Sequence, residues 1–176
     1  MMHLIIGGAA SGKSEYAESC VMSLGGDKVY LAAMKPFGDE ARRRIERHRR
    51  LRAGKGFETI EKYTDIGGAA TSAAGKTVLL ECMSNLAANE IYDPEGAGKE
   101  QAADAILAGI RRLKESSSHL VVVTLDVFED GIIYDEDTET FRRTLAEINR
   151  RLAAMADQVT RVVYGIPVMV KESRGE

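Results

Sequence analysis

An α/β fold, a mostly parallel open sheet flanked by helices, is predicted by three observations. Five short apolar runs rich in β-branched residues punctuate the chain, most of them lack a polar alternate face, and helical periodicity fills the stretches between them. A strand without a polar face has to be covered on both sides, and crossover helices in a parallel sheet do that.

The first run, His3 to Ile6, leads into a helical pattern from Lys13 to Leu24, and the second, Lys28 to Ala32, into one from Asp39 to Arg52. "FETIE", Phe57 to Glu61, adds a short strand. The small-residue stretch "GGAATSAAGK", Gly67 to Lys76, reads as locally flexible. Thr77 to Glu81 and His119 to Leu125 are the next strands, with a helix over Glu100 to Glu115 between them. The helix from Thr138 to Asp157 has the clearest stripe: Phe141, Leu145, Ile148, Leu152 and Met155 recur at spacings of three or four, which marks a core face. Gln158 to Tyr164 is the fifth run. Gly165 to Lys171 turns back beside it in the antiparallel sense, because Gly-Ile-Pro is too short for a crossover. Repeated βαβ units put ligands at the carboxyl ends of the strands.

The chain has 176 residues, the size of one α/β domain, and we expect a single nucleotide-binding and transferase domain over residues 1–176. A hydrophobic fraction of 44% with 29% charged residues is that of a globular protein, not a disordered one. A net charge of −3 gives no support to a general nucleic-acid or membrane-surface role. The apolar start "MMHLIIGG" is too short for a signal peptide or a bilayer span, so a cytoplasmic protein is expected. Cys20 and Cys82 have no ligand spacing and read as buried reduced thiols. His3 and His119 each begin an apolar run and read as ordinary strand-edge residues. The acidic stretch Phe128 to Glu139 reads as a solvated loop entering a helix, with Asp137 or Thr138 near the N-cap.

Two segments carry chemistry. Gly7-Gly8-Ala9-Ala10-Ser11-Gly12-Lys13-Ser14 satisfies G-x-x-x-x-G-K-[ST] and sits between a strand and a helix, the context the motif requires. Small residues let backbone N–H groups converge on an anion, and the helix N-terminus adds its partial positive charge. Lys13 is placed to reach β- and γ-phosphates and Ser14 to ligate Mg²⁺. This makes the fold class P-loop NTPase-type. The loop by itself does not choose among kinases, ATPases and GTPases.

The second segment runs from Gly38 to Glu61, and seven of the eleven residues from Arg42 to Arg52 are arginine. Its one histidine, His48, has Arg44 and Arg52 one turn away on the same face. One reading is a solvated basic helix. A nucleic-acid patch is disfavoured, since acidic residues elsewhere offset these charges and no aromatics interleave with them. The sharper reading is a polyanion site in which like charge favours the neutral imidazole. Such a histidine attacking the α-phosphorus of a nucleoside triphosphate would give a covalent nucleotidyl-histidine, with the arginines stabilising the phosphoryl oxygens.

Taken together, "GGAASGKSEYAE", "RIERHRRLRAGKGFETIE", "LLECMSNLAANEIY" and "INRRLAAMADQVTRVVYGIPVMVK" resemble the bifunctional adenosylcobinamide kinase and adenosylcobinamide-phosphate guanylyltransferase family over nearly the whole chain. The resemblance implies an enzyme of cobalamin (vitamin B12) biosynthesis. It would phosphorylate the aminopropanol hydroxyl of adenosylcobinamide with ATP or GTP, then transfer GMP from GTP to adenosylcobinamide phosphate, giving adenosyl-GDP-cobinamide and pyrophosphate. It further implies that His48 carries the GMP and that Gly7 to Ser14, with Lys13 catalytic, bind the triphosphate. Ala32, Ala33 and Met34 would line the nucleotide site, Arg49, Arg50, Leu51 and Arg52 would continue it, and Glu61 and Glu81 would contact GTP. Ser14 and Glu81 are the metal candidates, and a homotrimer is implied. Glu81 also ends an apolar strand, where it faces Mg²⁺ or a ribose hydroxyl or caps the strand.

Two departures from the family pattern stand out. "RAGKGF" replaces an Arg-Pro pair and aromatic after the histidine, with Phe57 in the aromatic's place. Leu125-Asp126 replaces an Asn-acid pair, which leaves Asp126 either a water-mediated metal partner or a strand cap. A single-activity P-loop kinase or guanylyltransferase is the alternative enzyme. A nucleotide-dependent binding module, forming no covalent adduct, is the alternative of another class.

Overall fold

The computed structural model describes residues 1–126, 132 and 134–172. In chain order the elements are β1 (Met2–Gly7), α1 (Lys13–Leu24), β2 (Lys28–Ala32), α2 (Gly38–Arg52), β3 (Phe57–Glu61), β4 (Thr77–Glu81), α3 (Met83–Tyr92), α4 (Ala102–Ser116), β5 (His119–Leu125), α5 (Glu136–Met155), β6 (Gln158–Val163) and β7 (Ile166–Glu172). The strands form one sheet in the order β3-β2-β4-β5-β1-β6-β7. Every pairing is parallel except β6 with β7.

The two-sided apolar strands arise because neighbouring residues in a strand face opposite ways and both faces of this sheet are covered. Leu4, Leu31, Leu80 and Val122 point into the larger core layer, with Ile106 and Ile110 of α4 and Leu145, Ile148 and Leu152 of α5. Their neighbours Ile5, Tyr30, Leu79, Val121 and Val123 point the other way, with Ala17 and Val21 of α1. Helix α2 lies apart from both layers. Arg52 is its one buried residue.

The structure differs from the sequence reading at several places. Helix α3 was not foreseen; it starts directly after β4, buries Met83, Leu86, Ala87 and Ile91, and stops ahead of Asp93-Pro94. Helix α4 begins at Ala102 rather than Glu100. The N-cap of α5 is Asp135, whose carboxylate accepts from Thr138 N–H, so the cap lies ahead of the expected Asp137 or Thr138. Of the acidic stretch Phe128 to Glu139, residues 128–131 and 133 lie outside the described residues.

The stretch 67–76 is packed at Gly67, Ala69 and Ala73, while 68, 71, 72, 74 and 75 are exposed. Gly67 lies so close to Gly109 of α4 that a Cβ on it would stand 3.0 Å from the Gly109 Cα, and Ala69 and Ala73 are buried. Gly67 is there for close approach. His3 is buried inside the central strand β1, where its Nε2 is 2.8 Å from Thr160 Oγ1, and is not an edge residue. Both cysteines are free and half-buried, not fully interior.

Candidate active site

The carboxyl ends of β1, β2 and β4 open into a cavity of about 370 Å³ under α2. Its floor is the loop from β1 to α1. Gly12 caps α1 with φ 88°, a left-handed conformation that favours glycine, and a Cβ on Gly7 would stand 2.5 Å from Ser11 Oγ and 2.7 Å from Val162 O. The loop is braced from outside by Gly165 N–H to Ser11 O (2.8 Å) and Asp126 N–H to Gly7 O (3.0 Å). Lys13 folds back over the loop and donates to Gly8 O at 2.8 Å. Burial pulls its ammonium below the ordinary lysine range.

Glu81, at the end of β4 and 8% exposed, is the hub. Ser14 Oγ donates to its Oε1, and Tyr30 Oη donates to its Oε2 at 3.1 Å. The same Oε2 lies 3.7 Å from Nδ1 of His48. That nitrogen is buried and has no hydrogen-bond partner among the described residues. Burial, and secondarily the Glu81 charge, raise the Tyr30 phenol, which keeps it an O–H donor.

Helix α2 forms the roof and is held by charge. Arg47 faces Glu15 of α1 at 3.9 Å, Arg49 pairs with Glu61 of β3 at 2.9 Å, and Lys55, just beyond the helix, pairs with the buried Glu18 at 2.5 Å. Arg52 lies over the Tyr30 ring, its guanidinium carbon 3.3 Å from the ring centroid. Its Nε and Nη1 are buried without partners among the described residues. A phosphate or a carbonyl-bearing base would satisfy them.

The cavity brings together Ala9 to Ser14, Ala32 and Met34, and from the helix His48, Arg49, Leu51 and Arg52, with Glu61 and Glu81. Gly7 and Gly8 lead into the loop beneath it, and Ala33 is buried behind the wall. Arg50 faces away and pairs with Glu46 at 3.0 Å. Asp126 is paired with Arg161 at 2.9 Å, while Leu125 does line the cavity. Arg44, one turn from His48 as the helical spacing requires, lines it too, and so do Tyr30, Thr59, Cys82 and Asn85, which the sequence does not mark as site residues. Tyr30 hides in an apolar strand, and only the β2/β4 register, Ala32 opposite Glu81, brings its hydroxyl to the carboxylate.

A phosphate loop at the end of a parallel strand, facing a histidine roofed by arginines, defines a P-loop nucleotide-dependent transferase. The family described as "Cobinamide kinase / cobinamide phosphate guanyltransferase" matches residues 3–170. The bifunctional adenosylcobalamin biosynthesis protein CobU of Escherichia coli K12 is 32% identical over 97% of this chain and 100% of its own length, and its Salmonella typhimurium counterpart is 33% identical over the same shares. CobP of Pseudomonas aeruginosa, similarly titled, is 26% identical over 97% of this chain and 98% of its own. The chain therefore belongs to the cobinamide kinase and cobinamide phosphate guanyltransferase family.

Proposed function

We propose that one cavity serves two transfers of cobalamin assembly. Adenosylcobinamide is first phosphorylated on its aminopropanol hydroxyl with ATP or GTP. GMP then passes from GTP to that phosphate through a guanylyl-histidine on His48, giving adenosyl-GDP-cobinamide and pyrophosphate. The observation that carries this reading is the shared carboxylate: Glu81 touches the phosphate-loop residue Ser14 through one oxygen and faces His48 with the other. Triphosphate cradle and nucleophile are thereby joined through a single side chain.

In both steps the loop amides and Lys13 hold the triphosphate tail, and Arg44, Arg49 and Arg52 face the charge that develops on the transferred group. Ser14 Oγ and Glu81 Oε1 are adjacent hard oxygens, a donor pair that fits Mg²⁺. No group of three or more His, Cys, Asp or Glu side chains that could hold a metal occurs among the described residues, so substrate phosphates would complete the ion's shell. When bound, the ion neutralises phosphate charge.

The exposed edge strand β7 supports the homotrimer. Ile166, Val168 and Val170 stand 64%, 49% and 63% exposed along it, a face that a second copy would cover. No described helix is long and apolar enough to cross a membrane. We place the enzyme in the cytoplasm, with no nucleic-acid partner, in keeping with its free thiols and net charge of −3.

GTP labelled at the α-phosphate tests the reading. Wild type should acquire an acid-labile, alkali-stable adduct and His48→Ala none. Label that persists in His48→Ala contradicts the assignment.

A further inference from the structure

We propose that Tyr30 and Ser14 clamp Glu81 so that its carboxylate holds the Nδ1 proton of His48, which makes Nε2 the atom that carries GMP. The inference rests on the guanylyl-histidine reading and adds to it the atom that reacts and a positioning residue, Tyr30.

The clamp follows from sheet register. Strands β2 and β4 are parallel neighbours with Tyr30 opposite Leu79 and Ala32 opposite Glu81. Residues two apart share a face, so Tyr30 and Glu81 emerge on the same side, diagonal to each other. Tyr30 Oη holds Oε2 at 3.1 Å, and Ser14 Oγ holds Oε1. Each carboxylate oxygen thus has one donor, and the two contacts together orient the group toward His48. The Arg52 guanidinium, its carbon 3.3 Å from the ring centroid, packs on the Tyr30 ring.

His48 Nδ1 has no other acceptor among the described residues, and Oε2 is 3.7 Å away. A small rotation of the imidazole closes that gap to a hydrogen bond. A neutral imidazole carries one proton, and a carboxylate beside Nδ1 selects the tautomer that keeps it there. The lone pair is then on Nε2. In the transfer that pair forms the bond to the α-phosphorus, the bond from α-phosphorus to the bridging oxygen breaks, and pyrophosphate leaves with its electrons. No proton moves, and the positive charge that appears on the ring is opposed by Glu81. When an oxygen of the acceptor phosphate attacks the same phosphorus, the pair returns to Nε2 and the ring is neutral again.

The test is single-turnover adduct formation from GTP in wild type, Tyr30→Phe, Glu81→Gln and the double variant, with nitrogen NMR of guanylylated wild type labelled in its histidine rings. The bond should be at Nε2. Tyr30→Phe, which keeps the ring under Arg52, should slow adduct formation about tenfold, the worth of one hydrogen bond to a charged group. Half-saturating GTP should change by less than about twofold, and the double variant should be no slower than Glu81→Gln, because Tyr30 acts only through Glu81. GMP on Nδ1, a Tyr30→Phe rate equal to wild type, or additive losses in the double variant would each overturn the proposal. The NMR arm reads the unsubstituted protein, so it decides the atom even where a variant does not fold. Absence of any wild-type adduct overturns the guanylyl-histidine reading itself, and this inference with it, whereas an adduct on Nδ1 overturns this inference alone.

Discussion

Arg52 is 6% exposed, stacked on Tyr30, and holds two buried N–H donors without partners. A buried charge is costly unless it is paired, and an aromatic face offsets only part of that cost. Arg52 lines the cavity, so an anion bound beside it would supply these donors with a partner. Arg52→Lys should weaken GTP binding about tenfold by calorimetry, since a lysine has neither the planar stack nor the fork. Unchanged affinity would remove Arg52 from the nucleotide site. His3 supplies a pH effect of known sign. Burial holds its imidazole below the ordinary value of 6.5, so in acid the unfolded chain takes up a proton that the folded chain refuses. Its contribution to stability is full above pH 6.5 and falls as the pH drops from there toward the folded value. Melting temperature followed against pH should therefore decline less steeply below 6.5 in His3→Gln than in wild type. A decline of equal slope would contradict that account.

The elements divide by what holds them. Helix α4 is seated by apolar contact, with Ile106, Leu107, Ile110 and Leu113 fully buried, and Gly109 against Gly67. A Cβ on Gly109 would stand 2.6 Å from Ile66 Cγ2 and 2.8 Å from Gly67 N, so Gly109→Ala should cost about 1–3 kcal/mol in denaturant unfolding despite alanine's better helix propensity. A neutral result would show that the contact yields. Helix α2 is held by ion pairs and the Arg52 stack, and salt screens exposed pairs. Its amides should exchange faster than those of α4, faster still at high salt, and become protected when GTP binds. Equal protection of α2 and α4 would contradict this.

The same contrast decides what the sequence disclosed. β1, β2, β4 and β5 are readable because two covered faces leave no polar alternation, and the phosphate loop because its chemistry is local. Helix α3 is not, since "MSNLAANEIY" mixes small and polar residues and follows a strand without a turn. Tyr30 is not, because its role depends on strand pairing. His48 could be picked out from its arginines, but the carboxylate that faces it comes from β4, 33 residues away in sequence and visible only in three dimensions.

For the whole molecule, an apolar outer edge stands exposed. Ile166, Val168 and Val170 are carried at the end of the sheet on β7, and Tyr164, 94% exposed, stands at the turn before it. If β7 carries the proposed trimer contact, Val168→Lys should leave a monomer in sedimentation velocity, and a trimer that survives it would move the interface elsewhere. The central claim, that one cavity loads GMP onto His48 and then delivers it, is tested most directly by a chase. Protein labelled with α-phosphate-labelled GTP and freed of nucleotide is mixed with adenosylcobinamide phosphate, and the label is followed. The account predicts that all of it passes to adenosyl-GDP-cobinamide at least as fast as steady-state turnover. Label that stays on the protein while turnover continues with fresh GTP would contradict it.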